Sequence, residues 1–139
     1  MKQQFKSLPG WTYTSEAFFE LEKKELILKN WQLVCHLSNI PEPGNFFTFD
    51  IFNERIFVIR SEDGSVAAFH NFCSHRGTKL IDEVSGTCNH KITCPYHAWG
   101  YDFKGNLIKV PYEDQFKDFN KKDNGLQSVE LEIFQGFIF

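Results

Sequence analysis

Two short segments hold the residues best suited to chemistry. The first reads Cys73-Ser74-His75-Arg76-Gly77 and the second Cys94-Pro95-Tyr96-His97. The pattern is Cys-x-His, then residues 76–93, 18 in all, then Cys-x-x-His. Each segment offers one thiolate and one imidazole, both good ligands for a transition metal. Two centres accept that donor set. A tetrahedral zinc ion takes two Cys and two His. A [2Fe–2S] cluster takes the same four if the two Cys bind one iron and the two His bind the other. Helical zinc fingers pair Cys with Cys and His with His. Here each segment mixes the types, so each loop can contribute to both irons of a cluster.

A second Cys-x-His, Cys88-Asn89-His90, competes with the first pair. It ends only three residues before Cys94, too close for two ligand loops to face each other across a cluster. It also lacks the Arg-Gly that follows His75. Cys73 and His75 are therefore the expected pair, and Cys88 and His90 belong to the loop between the ligand segments. Cys35 reads as a small buried hydrophobe and His36 as a polar strand residue.

The elements that must position these donors are mostly short strands. Residues 1–14 contain Pro9-Gly10 and read as an irregular arm. Ser15 is a helix N-cap signal with Glu16 in the first turn. Phe18, Phe19, Leu21, Leu26 and Leu28 recur at near-helical spacing, which predicts an amphipathic helix over residues 16–30. Glu20 with Lys24 and Glu25 with Lys29 are i,i+4 pairs in the favourable order. Beyond Asn30 the texture changes to strand composition at residues 31–36, then a turn at Pro41-Glu42-Pro43-Gly44. Phe47, Phe49 and Ile51 alternate with polar residues, residues 55–60 follow a tight turn, and Ser61-Glu62-Asp63-Gly64 closes a hairpin onto residues 66–69. Further strands are expected at 91–93, 99–101, 107–110, 129–134 and 137–139, with a turn at Lys104-Gly105. Residues 113–125 are polar and read as a surface loop. Short strands at this density predict a mainly β fold, an antiparallel sandwich or barrel. The ligand segments sit at strand ends, where loops present donors from a rigid scaffold.

Composition sets the outer limits. The chain has 139 residues, 42% of them apolar and 24% charged, with a net charge of −3, 16 phenylalanines, four cysteines and five histidines. That suits one domain with a short arm and argues against disorder. Mild acidity speaks against a phosphate-binding surface, so no nucleic-acid partner is expected. No apolar run approaches the roughly 20 residues of a membrane helix. Residues 1–6 lack a signal-peptide core, so a cytoplasmic location is expected, with metal binding preferred to disulfides for the cysteines.

Residues 71–105 resemble the Rieske domain of Rieske non-haem iron oxygenases, the ring-hydroxylating dioxygenase α-subunit family. The matching words are Asn71-x-Cys73-x-His75-Arg76-Gly77, Cys94-Pro95-Tyr96-His97-x-Trp99 and Tyr101-Asp102-x-x-Gly105. Weaker words upstream, among them Tyr13-Thr14-Ser15, Trp31, Pro41-x-Pro43-Gly44 and Asp63-Gly64, extend the resemblance over nearly the whole chain. It implies a Rieske β-sandwich carrying one [2Fe–2S] cluster, with Cys73 and Cys94 on the inner iron and His75 and His97 on the outer one. Neutral imidazoles in place of two thiolates reduce the negative charge and lift the potential into a window of roughly −150 to +300 mV. The respiratory type carries an extra Cys in each cluster loop, and neither loop has one here, so the lower part of that window is expected. A midpoint well above about +150 mV would count against this. Gly77 is expected to supply a special backbone geometry or an N–H to a cluster sulfur. Arg76 is either the partner of an acid at a subunit boundary or a solvated charge. Trp99 and Tyr101 are placed to pack on the cluster loop and exclude water, with an ordinary strand-core role the stronger reading for Trp99.

His70 and His75 repeat a spacing of the mononuclear iron ligands in the same oxygenases. However, His75 is committed to the cluster, and the Asp that pattern requires is missing. The expected organisation is an arm and helix over 1–30 and a Rieske [2Fe–2S] domain over 31–139, with the catalytic mononuclear-iron domain absent. The resemblance implies an electron donor, a reductase or ferredoxin, and an acceptor, an oxygenase catalytic domain in a neighbouring subunit. This chain itself is expected to transfer electrons and not to hydroxylate. The alternatives are a free-standing Rieske ferredoxin, which the N-terminal helix disfavours, and a structural zinc module. The resemblance suits aromatic substrates and quaternary-ammonium substrates such as choline, betaine or carnitine, and the look of the segment leans toward the latter.

Overall fold

A computed structural model describes residues 7–139, so the segment read for a signal peptide lies outside the described residues. The chain divides into two compact units, one running up to Leu33 and the other Val34–Phe139. In the first, helix α1 (Glu16–Glu25) starts where Ser15 accepts a hydrogen bond from the Phe18 N–H at 3.3 Å. It stops five residues before the expected end, and Ile27–Lys29 form a 3-10 turn instead. The side chains of Asn30 and Gln32 take the freed carbonyls of Leu26 and Ile27, at 2.5 and 2.7 Å. The Glu25–Lys29 pair forms, but Glu20 pairs with Lys23, one residue earlier than expected. Trp11 meets the Phe18 ring edge-on at 5.2 Å, and no residue of α1 is buried.

The second unit holds eleven short strands in three antiparallel sheets. In chain order they are β1 (Cys35–His36), β2 (Asn45–Ile51), β3 (Glu54–Arg60), β4 (Val66–His70), β5 (Ser85–Thr87), β6 (Ile92–Thr93), β7 (Gly100–Tyr101), β8 (Leu107–Lys109), β9 (Ser128–Val129), β10 (Ile133–Phe134) and β11 (Phe137–Ile138). The sheets run β1-β11-β10, β5-β2-β3-β4-β9 and β6-β7-β8. The five-stranded sheet is buried on both faces. Phe57, Ile59 and Phe69 enter one core, with Trp99, Tyr101 and both Cys73 and Cys94. Val58, Ala68, Ile40 and Ile138 form the other. This two-sided burial explains the unbroken apolar run Ile56-Phe57-Val58-Ile59.

Several strands are shorter than the composition suggests. The 31–36 strand shrinks to two residues, and His36 caps the turn that follows, its Nδ1 accepting from the Ser38 N–H at 3.2 Å. The stretch expected at 129–134 breaks into β9 and β10. β5 is unexpected from Ser-Gly-Thr, whose middle residue packs on the Phe46 ring where a Cβ would stand 2.9 Å away. Residues 112–125 are not a plain loop. They contain two 3-10 turns, Glu113–Gln115 and Lys121–Asn124, and left-handed residues Tyr112 (φ 55°) and Asp118 (φ 55°) precede each of them. Among the described residues no helix is long and apolar enough to cross a membrane.

Candidate metal centre

The two ligand segments hang from different sheets. Cys73 and His75 follow β4, and Cys94 and His97 form the β6–β7 connection. Their backbones nonetheless share one design. The Cys73 N–H donates to the Thr78 carbonyl and the Gly77 N–H returns to the Cys73 carbonyl, each at 2.8 Å. In the second segment the Cys94 N–H donates to Trp99 at 2.8 Å and the Ala98 N–H returns to Cys94 at 3.1 Å. In both, the residue four past the Cys is left-handed, Gly77 at φ 67° and Ala98 at φ 55°. Gly77 therefore supplies geometry, since its N–H is spent on the Cys73 carbonyl.

Asn71 holds the first segment in shape. It is 1% exposed. Its Nδ2 donates to the Ile81 carbonyl at 2.7 Å, and its Oδ1 accepts from the Leu80 and Ile81 N–H groups at 3.2 and 3.0 Å. One side chain thus satisfies three backbone groups that burial would otherwise leave unpaired.

The structure brings the four donors together in two like pairs. Cys73 and Cys94 are both buried in the main core, and Cys94 stands close enough to raise the Cys73 thiol pKa. The rings of His75 and His97 stand 4.8 Å apart at 66°. Among the described residues no three His, Cys, Asp or Glu converge as a single ion requires. Both Nδ1 atoms, of His75 and His97, are buried and have no hydrogen-bond partner. A buried imidazole nitrogen without a partner costs free energy unless something binds it. Two such nitrogens beside two adjacent thiols fit a group that takes two sulfur and two nitrogen ligands.

The electrostatics fit the same group. Burial, above all, pushes the Cys73 thiol pKa up, and the neighbouring Cys94 adds to the rise. Tyr101 and the His75 amide act the other way by donating toward the sulfur. Two adjacent thiolates repel unless cations lie against them, so binding iron must release the protons. For His75, burial and then the charges of His97 and Arg76 hold the pKa below the usual histidine value, which keeps the ring neutral, as a ligand must be.

Two aromatic residues do more than the sequence suggests. Tyr101 is fully buried; its Oη lies 3.1 Å from Cys73 Sγ and accepts from the Ser74 N–H at 3.2 Å. Trp99 is in the core at 4% exposure, yet its indole also lies flat on His75, with centroids 4.6 Å apart and planes 8° from parallel. The other histidine, His97, has the exposed Tyr96 beside it at 3.8 Å. Spacing carried a hint of these contacts but not their geometry.

The remaining Cys and His lie elsewhere. Cys88 is half-buried against the main core, its pKa pushed up to about 11 mainly by burial, and His90 is exposed with φ 65°. Cys35 packs against the second core, its pKa likewise raised to about 11 by burial. His36 packs edge-on to Phe137 at 5.1 Å. His70 ends β4, with Nδ1 3.6 Å from Glu54. Arg76 is exposed.

Comparison with known proteins points the same way. Residues 30–128 match the family model for the Rieske [2Fe-2S] domain. The oxygenase subunit of carnitine monooxygenase from Acinetobacter baumannii is 35% identical over 133 residues, which is 96% of this chain and 36% of the relative. The alpha subunit of benzene 1,2-dioxygenase from Pseudomonas putida is 37% identical over 128 residues, 91% of this chain and 28% of the relative. A solved quaternary ammonium Rieske monooxygenase, described for carnitine oxidation by gut microbiota and inter-subunit electron transfer, matches with a TM-score of 0.86 at 35% identity. That match covers 94% of this chain and 35% of the other. The chain thus spans between 28% and 36% of the length of these relatives.

Proposed function

Because the chain belongs to the Rieske [2Fe-2S] domains of Rieske oxygenase α subunits, we propose that Cys73, Cys94, His75 and His97 hold its one cluster and relay single electrons through it. The carrying observation is the sorting of the four donors into a buried thiol pair and an imidazole pair with two orphaned Nδ1 atoms. When bound, such a cluster takes up and returns one electron within roughly −150 to +300 mV. The protein supplies everything else. Cys73 and Cys94, buried in the main core, hold the inner side dry. Tyr101 and the His75 amide donate toward Cys73 sulfur, which favours the more electron-rich state. His75 and His97 are only partly buried and give electrons a short way to the surface.

The donor is a reductase or ferredoxin, and the acceptor is an oxygen-activating iron in the part of the relatives' length outside this chain, reached in a neighbouring subunit. The inter-subunit electron transfer described for the quaternary ammonium monooxygenase supports that arrangement. The relatives named above are oxygenase subunits, which weighs against a free-standing ferredoxin. Carnitine and benzene oxygenases match this chain almost equally, at 35% and 37% identity. Its residues therefore belong to the electron relay common to both, and the choice of substrate lies with the remainder.

The test is direct. The purified chain should be red-brown, with iron and acid-labile sulfide in the equal amounts of a [2Fe–2S] cluster. Replacing Cys73, His75, Cys94 or His97 by Ala should abolish the colour, while Cys35→Ala and Cys88→Ala should keep it. A colourless zinc protein, or loss of the cluster in Cys88→Ala with retention in Cys73→Ala, would overturn the assignment. Substrate-dependent oxygen uptake by the 139-residue chain would overturn the electron-relay reading.

A further inference from the structure

The chemistry-bearing residues leave unexplained why a polar, charged stretch folds back onto the site. Residues 112–125 do so with specific fastenings. The Ser74 hydroxyl, in the first ligand loop, donates to the Gly125 carbonyl at 2.6 Å. The Leu126 N–H donates to Gly105 at 2.8 Å. Lys121 pairs with Glu113 at 2.6 Å, tying one 3-10 turn to the other. Within this frame the Phe119 ring meets Trp99 edge-on, with centroids 5.5 Å apart, and Phe116 backs Phe119 at 5.4 Å. Trp99 in turn lies on His75. The result is a column of rings, Phe116, Phe119, Trp99 and His75, running from an exposed phenylalanine to an imidazole of the metal centre. A residue that only filled the core would need volume, not a plane 8° from that of the imidazole.

We propose that residues 112–125 form a strap whose Phe119 presses Trp99 flat onto His75, and that Trp99 and Phe119 are positioning residues that lower the cluster's reduction potential. The inference rests on His75 being a cluster ligand. Its physical basis is solvation. Two ferric ions, two sulfides and two thiolates sum to zero charge, and reduction adds one negative charge. Water around the ligands stabilises that charge, so a face of His75 covered by indole disfavours reduction. Removing the cover admits water and raises the potential.

The experiment uses the full chain. Phe119→Ala, Phe119→Leu and Trp99→Leu are compared with the parent for sulfide content, midpoint potential by spectroelectrochemical titration, and the EPR spectrum of the reduced cluster. Phe119→Ala and Trp99→Leu should keep their sulfide and shift the one-electron equilibrium toward the reduced form, up to tenfold, about 60 mV upward. Phe119→Leu, which restores apolar cover, should return most of the way to the parent. If potentials and EPR spectra stay unchanged, or potentials fall, while only thermal stability drops, the proposal is wrong and the rings merely pack. Should Trp99→Leu fail to fold, Phe119→Ala against Phe119→Leu decides alone. A parent without acid-labile sulfide would instead remove the cluster assignment, and the proposal with it.

Discussion

At the scale of single residues, the Tyr101 hydroxyl is the group whose contribution is most easily isolated. It sits 3.1 Å from Cys73 Sγ, fully buried, and its own pKa is raised by burial first and then by Cys73, so it stays a donor across the neutral range. A donor to sulfur stabilises the state with more electron density there. Tyr101→Phe should therefore keep the cluster and lower its midpoint potential, on the order of 60 mV for a tenfold change in a one-electron equilibrium. A titration showing no change, or a rise, would refute the role. The direction is opposite to that expected for Phe119→Ala, so the pair separates hydrogen bonding from solvation. The four proposed ligands could be picked from sequence because ligand spacing is local and each pair lies on one loop. Packing of Tyr101 and Trp99 on that loop was readable too, but the Tyr101 hydroxyl contact and the Trp99 stack on His75 were not. They depend on how Tyr101 of the two-residue β7, and Trp99 just before it, are turned, and β7 pairs with β8 through an irregular register between Gly100 and Tyr101.

At the scale of elements, the first ligand loop depends on Asn71 and the adjoining hairpin on Asp63. Asn71→Ala strips partners from the Leu80 and Ile81 amides and the Ile81 carbonyl. A buried group left unpaired costs about 1–3 kcal/mol. The variant should lose about 3 kcal/mol by chemical denaturation and show reduced sulfide content, since the loop that presents Cys73 and His75 is no longer held. Asp63 closes the β3–β4 turn. Hydrogen bonds from Lys104, first, and then from Ser65 hold its carboxyl well below the usual carboxylate range. A depressed folded-state pKa gives stability that is present above the unfolded value, near pH 4, and is lost as pH falls further. The parent should melt above Asp63→Asn at pH 6, and the gap should shrink steadily as pH falls below about 4. A gap that does not shrink below about pH 4 would refute the linkage. The pair is exposed, so added salt should narrow the gap at pH 6. Asp63-Gly64 was readable as a turn from its residue types. The strap at 112–125 was not, because Lys, Asp and Glu outnumber its two packing phenylalanines and a polarity reading averages them away.

At the scale of the whole molecule, the proposed centre lies within one unit. Both cores, all three sheets and all four proposed ligands belong to Val34–Phe139, and among the described residues none up to Leu33 is a buried member of either core. The five-stranded sheet finds cover for both faces inside that unit. One face carries the core around Cys73 and Cys94, and the other is closed by the sheet of β1, β10 and β11. We expect a shortened chain starting at Val34 to fold and to assemble the same red-brown cluster. Its EPR spectrum and midpoint potential should match those of the full chain within error, since Trp99, Phe119 and Tyr101 are all retained. A helix that merely decorates the domain would also leave the denaturation midpoint nearly unchanged. Failure of the shortened chain to bind iron and sulfide, with the full chain succeeding, would show instead that α1 is part of the folding unit that positions the centre.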